Sequence, residues 1–87
     1  MTGEDWALDL ESEFLRLEPW LQAEPNVETQ IRVLQYLGTV LLKNPIRPDL
    51  EDTHGVYSVQ VPRTNIAIVW QVDHVHRTIT ISALGPM

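Results

Sequence analysis

The chain has 87 residues, of which 44% are hydrophobic, and a formal net charge of −6. That length allows one domain with a modest core and excludes two, while the hydrophobic fraction excludes a disordered chain. The absence of cysteine excludes disulfides and thiolate metal sites, and the negative charge argues against an ordinary nucleic-acid binder, which carries a basic footprint.

The acidity is concentrated near one end. Residues 1–28 hold Glu4, Asp5, Asp9, Glu11, Glu13, Glu18, Glu24 and Glu28 against one base, Arg16. Residues 29–87 hold Arg32, Lys43, Arg47, Arg63 and Arg77 against Asp49, Glu51, Asp52 and Asp73, close to balance. The first five residues are acidic where a secretory signal is basic, and no apolar run reaches membrane-spanning length. A soluble, cytoplasmic protein with no membrane partner is expected.

Residues 5–8 read either as a short edge strand or as the lead-in to a helix. Asp9 is the expected N-cap of a first helix, with Leu10, Phe14, Leu17 and Leu21 at helical spacing and acids in the first turn. Pro19 should stop this helix near Leu17, or kink it so that it resumes through Trp20. A second helix opens at Asn26 with an apolar stripe of Val27, Ile31, Leu34, Leu37 and Leu41, widened by Val33 and Val40. Lys43, a left-handed Asn44 and Pro45 should close it. An irregular connector, residues 46–54, follows, with Leu50 as its anchor.

From Gly55 to Leu84 the pattern is a three-stranded antiparallel meander, broken at residues 62–65 and 73–76. Tyr57, Val59 and Val61 share one face of the first strand and Ser58 and Gln60 the other. In the last strand Ile79, Ile81 and Ala83 oppose Thr78, Thr80 and Ser82. The middle strand is apolar on nearly both sides, as if covered on both. The expected fold is α+β: a helical hairpin packed on a small antiparallel sheet, in one domain.

With the phrases F-L-R-L-E-P, L-K-N-P, D-L-E-D-T-H-G-V-Y-S-V-Q-V, N-I-A-I-V-W-Q-V-D and R-T-I-T-I-S-A-L-G, the chain resembles the RelE/ParE superfamily of bacterial type II toxins. The resemblance implies a toxin-family protein of a toxin–antitoxin system, acting on translation by cutting mRNA at the ribosome. A cognate antitoxin would then wrap a helix or strand over the polar sheet face, at Ser58, Gln60, Gln71, Thr78 and Thr80. Nucleases of that family commonly open the central strand with an arginine. Here the matching positions are Asn65, Ile66 and Ala67, and the nearest base is Arg63. A further functional residue just beyond the last strand is also expected of such nucleases, where this sequence reaches Met87. ParE-like members act on DNA gyrase instead. The alternative function is therefore a non-enzymatic interaction module, either a gyrase-directed relative or a degenerate toxin fold that binds a basic partner. Homo-oligomers fit either reading.

The side chains available for RNA cleavage are His54 as general base, with Arg63 and Arg77 as catalytic cations and Arg47 as an additional phosphate ligand. Against this stands the plain reading of three solvated arginines and a turn histidine. His74 and His76 form an H-x-H whose third metal ligand would have to come from His54 or a carboxylate such as Asp73; the plain reading is two turn histidines, and neither metal nor cofactor is expected. Of the tryptophans, Trp70 should be buried, Trp20 should close a helix against the sheet, and Trp6 is the candidate for an interface.

Overall fold

The computed structural model describes residues 6–53 and 55–86. The described chain builds a five-stranded sheet with two helices on one face. Strand β1 (Ala7–Leu8) leads into helix α1 (residues 10–23), and a short link leads to helix α2 (residues 27–41). A 3-10 turn, Pro48–Leu50, precedes β2 (Glu51–Thr53), β3 (Val56–Gln60), β4 (Ile66–Asp73) and β5 (Thr78–Pro86). The strand order is β1-β5-β4-β3-β2.

The expected meander is present as β3, β4 and β5, antiparallel throughout. Both of its edges are extended. β1 adds in parallel to β5, pairing Ala7 with Thr78 and Leu8 with Ile79. β2, expected as irregular connector, turns back on β3 through Gly55, whose φ of 80° suits glycine. The sheet is therefore mixed and five-stranded. Unpaired edge amides and carbonyls of β3 and β5 explain the recruitment, since any short extended segment close by can satisfy them.

Both helix starts follow the sequence. Asp9 Oδ1 accepts the Ser12 amide at 2.7 Å, and Asn26 Oδ1 accepts that of Thr29 at 3.1 Å. Pro19, however, neither stops nor breaks α1. Between Leu10–Ser12 and Glu18–Ala23 the helix widens into a π-helical stretch, Glu13–Leu17, where the Glu18 amide reaches back to the Glu13 carbonyl. The wider turn makes room for the proline ring and needs no proline N–H, so the helix runs on.

That stretch also changes which residues face the core. A π turn takes one more residue than an α turn, which rotates the residues before it by about 100° relative to those after it. Leu10 and Phe14 are accordingly 71% and 56% exposed, while Ser12, Leu17 and Trp20 are buried. In α2 the apolar arc is wider than the sheet can cover. Val33, Leu37 and Leu41 are buried, and the expected stripe residues Val27, Ile31 and Leu34 are exposed. A second π stretch, Leu37–Leu41, keeps these buried residues nearly in line. Asn44 is not left-handed: α2 ends with the Leu42 amide on Leu37 O and the Asn44 amide on Val40 O, both at 2.9 Å.

The core lies between the helices and one sheet face, where Trp70, Ile68, Ile79, Leu41 and Val33 have no exposed surface. Each such aliphatic side chain contributes roughly 1.5–3 kcal/mol by leaving water. Trp70 stacks on Tyr57 at 5.5 Å between ring centroids, and its indole N–H donates to Pro45 O at 3.0 Å. Leu50 packs against this core, as expected of an anchor. A bulge at Ser82 pairs Trp70 with Ile81 but Val69 with Ala83. Ala83 therefore leaves the face of Ile79 and Ile81 expected of it, and Leu84 takes its place opposite Ile68.

One hydroxyl completes the join between α1 and the sheet. Asp9 N–H and Ala7 N–H donate to the Ile79 and Arg77 carbonyls, after which the chain turns into the helix and offers β5 no further strand carbonyl. The buried Ser12 Oγ takes the Ile81 amide instead, at 2.8 Å.

Candidate functional site

Arg63 lies in the middle of the β3–β4 turn and Arg77 at the end of the β4–β5 turn, each with a left-handed backbone, φ 65° and 55°. The β3–β4 turn is held by Thr64. Its hydroxyl donates to Val61 O at 2.9 Å and accepts the Ile66 amide at 3.0 Å, and Gln60 Nε2 donates to Thr64 O at 2.7 Å. In the β4–β5 turn Asp73 does this work, accepting the Val75 and His76 amides at 2.9 and 3.1 Å. Its second oxygen meets His76 Nδ1 at 2.9 Å. These hydrogen bonds, that of the His76 side chain first, hold the Asp73 carboxyl below its ordinary range.

Consecutive turns of a meander lie at opposite ends of the strand they share. β4 has eight residues, so Arg63 and Arg77 are separated by roughly 25 Å along it, at about 3.3 Å per residue. The expected convergence of the two on one phosphate does not occur. Arg77 is built into the fold instead. Its guanidinium lies 4.7 Å from the centroid of Trp6, and His74 meets the same indole edge-on at 5.9 Å. Trp6, expected at an interface, is buried in the core. His54 lies outside the described residues.

At the other end a cleft of about 560 Å³ opens between α2 and the β3–β4 turn. Arg32, Gln35, Tyr36 and Arg63 line it, with Ile31, Val61 and Pro62 as apolar wall and Glu28 at its side. Arg32 pairs with Glu28 one helical turn away, at 3.1 Å. Arg63 has no ion-pair partner among the described residues. Arg47, outside the cleft lining, is forked onto Asp49 at 3.2 and 3.3 Å. Burial pushes the Tyr36 hydroxyl above its ordinary pKa, with Arg47 opposing. At the cleft Arg63 is joined by Arg32, Gln35 and Tyr36, none of which the turn and strand pattern singles out, while Arg47 is not part of the lining. The signal for them was the polar flank beside the apolar arc of α2, on which Glu28, Arg32, Gln35 and Tyr36 recur at helical spacing.

The outer sheet face carries Ser58, Gln60, Gln71, Thr78 and Thr80, as expected, around a floor of Ala67, Val69 and Ala83. Both helices pack on the other face, so the apolar floor lacks the cover that the middle strand implied. Two of the polar groups have structural partners: Thr80 Oγ1 donates to Asp9 Oδ2 at 2.7 Å, and the Gln60 amide holds the turn. By strand parity none of the described residues on this face of β3, β4 and β5 is basic, Asp73 being its charged member.

RNA cleavage through the ribose 2′-hydroxyl requires a proton acceptor and cations gathered on one phosphate. Arg63 and Arg77 do not meet this requirement together. The cleft brings Arg32 and Arg63 to one opening beside Glu28, and the outer face offers polar side chains around an apolar floor.

No family model matches the chain, and no curated protein matches it in sequence. Among solved structures it is similar to the isolated E. coli RelE toxin, with a TM-score of 0.68 and 15% identity over 94% of this chain and 83% of that one. It is also similar to a mutant E. coli RelE, with two arginines replaced by alanine, in the free state, at a TM-score of 0.61 and 14% identity. That comparison covers 95% of this chain and 83% of the mutant. The chain has a RelE-like fold.

Proposed function

We propose that this chain is a RelE/ParE-like toxin-family protein of a type II toxin–antitoxin system that acts by binding and does not cut RNA. Its cognate antitoxin lays a segment across the outer sheet face, over Val69 and Ala83 and between Ser58 and Gln71. The RelE-like fold across nearly the whole chain supports the family reading. One observation carries the non-catalytic part: Arg63 and Arg77, the two arginines expected as catalytic cations, lie at opposite ends of β4. A face with an apolar floor and no basic residue among the described ones suits a protein segment better than a phosphodiester backbone.

The test has two arms. The wild-type protein, added to programmed ribosomes, should produce no new mRNA ends by primer extension; cleavage that Arg63→Ala abolishes overturns the reading. In the second arm the product of the neighbouring reading frame is co-expressed and should co-purify with wild type. Val69→Arg, which puts a charge on the apolar floor, should prevent that capture. A supercoiling assay with DNA gyrase then tests whether the target is the one used by ParE-like toxins.

A further inference from the structure

The cleft between α2 and the β3–β4 turn has no role in that reading. It combines two arginines with a wall of Ile31, Val61 and Pro62, and a volume of about 560 Å³ that exceeds what a bare inorganic anion fills. Arg32 is half-buried and pairs with the exposed Glu28 of the same helix, an i,i+4 pair of a type that contributes little. Arg63 sits on a turn locked by Thr64 and has a backbone conformation that glycine or asparagine adopts more easily.

We propose that this cleft binds an acidic peptide segment of a partner protein, its carboxylate held by Arg32 and Arg63 and an aliphatic neighbour packed on Ile31, Val61 and Pro62. The guanidinium fork matches a carboxylate in two parallel hydrogen bonds. A nucleic-acid strand is disfavoured. It brings a charge with every nucleotide, whereas the cleft offers two cations beside Glu28 in a chain of net charge −6. The half-buried Tyr36 also gives bases a poor stacking surface. The proposal is independent of the toxin-family reading, because the antitoxin segment is assigned to the outer sheet face.

The probe is a fluorescein-labelled peptide of alternating Glu and Leu, titrated by fluorescence anisotropy with the intact chain. Saturable binding is expected that weakens with added salt. Arg63→Asn, which keeps a residue tolerant of the left-handed turn, and Arg32→Gln, which keeps a helix former, should each weaken it about fivefold. Val69→Arg should leave it unchanged, which separates this site from the outer face. Thermal melts confirm that each variant is folded. No binding, unchanged affinity in the Arg32→Gln/Arg63→Asn double variant, or equal binding of a Lys/Leu peptide overturns the proposal. Tighter binding of an oligouridylate overturns it in favour of an RNA phosphate site.

Discussion

The two ends of β4 carry the same residue type in the same unusual backbone conformation, yet they do different work. At the β4–β5 end Arg77 lies over Trp6, and β1, Asp9 and Ser12 tie the start of α1 to β5. At the β3–β4 end Arg63 borders an open cleft without an ion-pair partner among the described residues. Turn chemistry alone does not distinguish them. What distinguishes them is the element that arrives above each turn, a parallel edge strand in one case and the polar flank of α2 in the other. The first end is organised for stability and the second for an incoming group.

Substitutions can break or sharpen this contrast. The largest effect belongs to the strand both ends share: Trp70→Ala should cost about 3–5 kcal/mol in urea melts, through the lost stack on Tyr57 and the cavity left behind. Next, Ser12→Ala leaves the buried Ile81 amide without its acceptor and should cost about 1–3 kcal/mol. A cost near zero would mean that the closed end does not depend on this join.

Asp9 gives a pH signature to the same end. Burial raises its carboxyl pKa, but hydrogen bonds from Ser12 and Thr80 outweigh that and hold it below the ordinary 3.8. The unfolded chain therefore takes up the proton more readily than the folded one. Stability from this group is present above about pH 4 and is lost as pH falls through the folded value. Asp9→Asn should cost about 1 kcal/mol at neutral pH and flatten the acid limb of the stability curve, measured by melts from neutral to acid pH.

The smallest effect is the most direct test of the contrast. Arg63→Gly relieves the left-handed backbone and loses little packing, so it should stabilise by about 0.5–1 kcal/mol. Arg77→Gly gains the same relief but loses the contact with Trp6, worth about 0.5–1 kcal/mol, and should come out near neutral. Equal shifts in the two melting curves would show that the ends are energetically alike.

Much of the architecture was legible because its signals are local. The Asp9 and Asn26 caps, the breaks around β4 and the alternation of Tyr57 with Ser58 each depend on a few neighbouring residues. The errors share a different origin. Leu10 and Phe14 share helical spacing with Leu17 and Leu21, but the π stretch before Pro19 shifts the phase and leaves the first two exposed. Ala83 changed faces for the analogous reason in a strand, a bulge. In the cleft, Arg63 is marked by its turn, but Arg32 lies on a helix 31 positions earlier, where no local pattern joins it to that turn.

By itself, then, the sequence determined an α+β domain with two capped helices and a three-stranded antiparallel core, since caps, turns and hydrophobic alternation act within a few residues of the chain. The tertiary structure alone decided that β1 and β2 join the sheet, that Trp6 is buried, and that Arg63 faces a cleft shared with Arg32 while the exposed Arg77 lies over Trp6. Those outcomes depend on edge hydrogen bonds and helix phase, which are settled only when distant segments compete for the same surface.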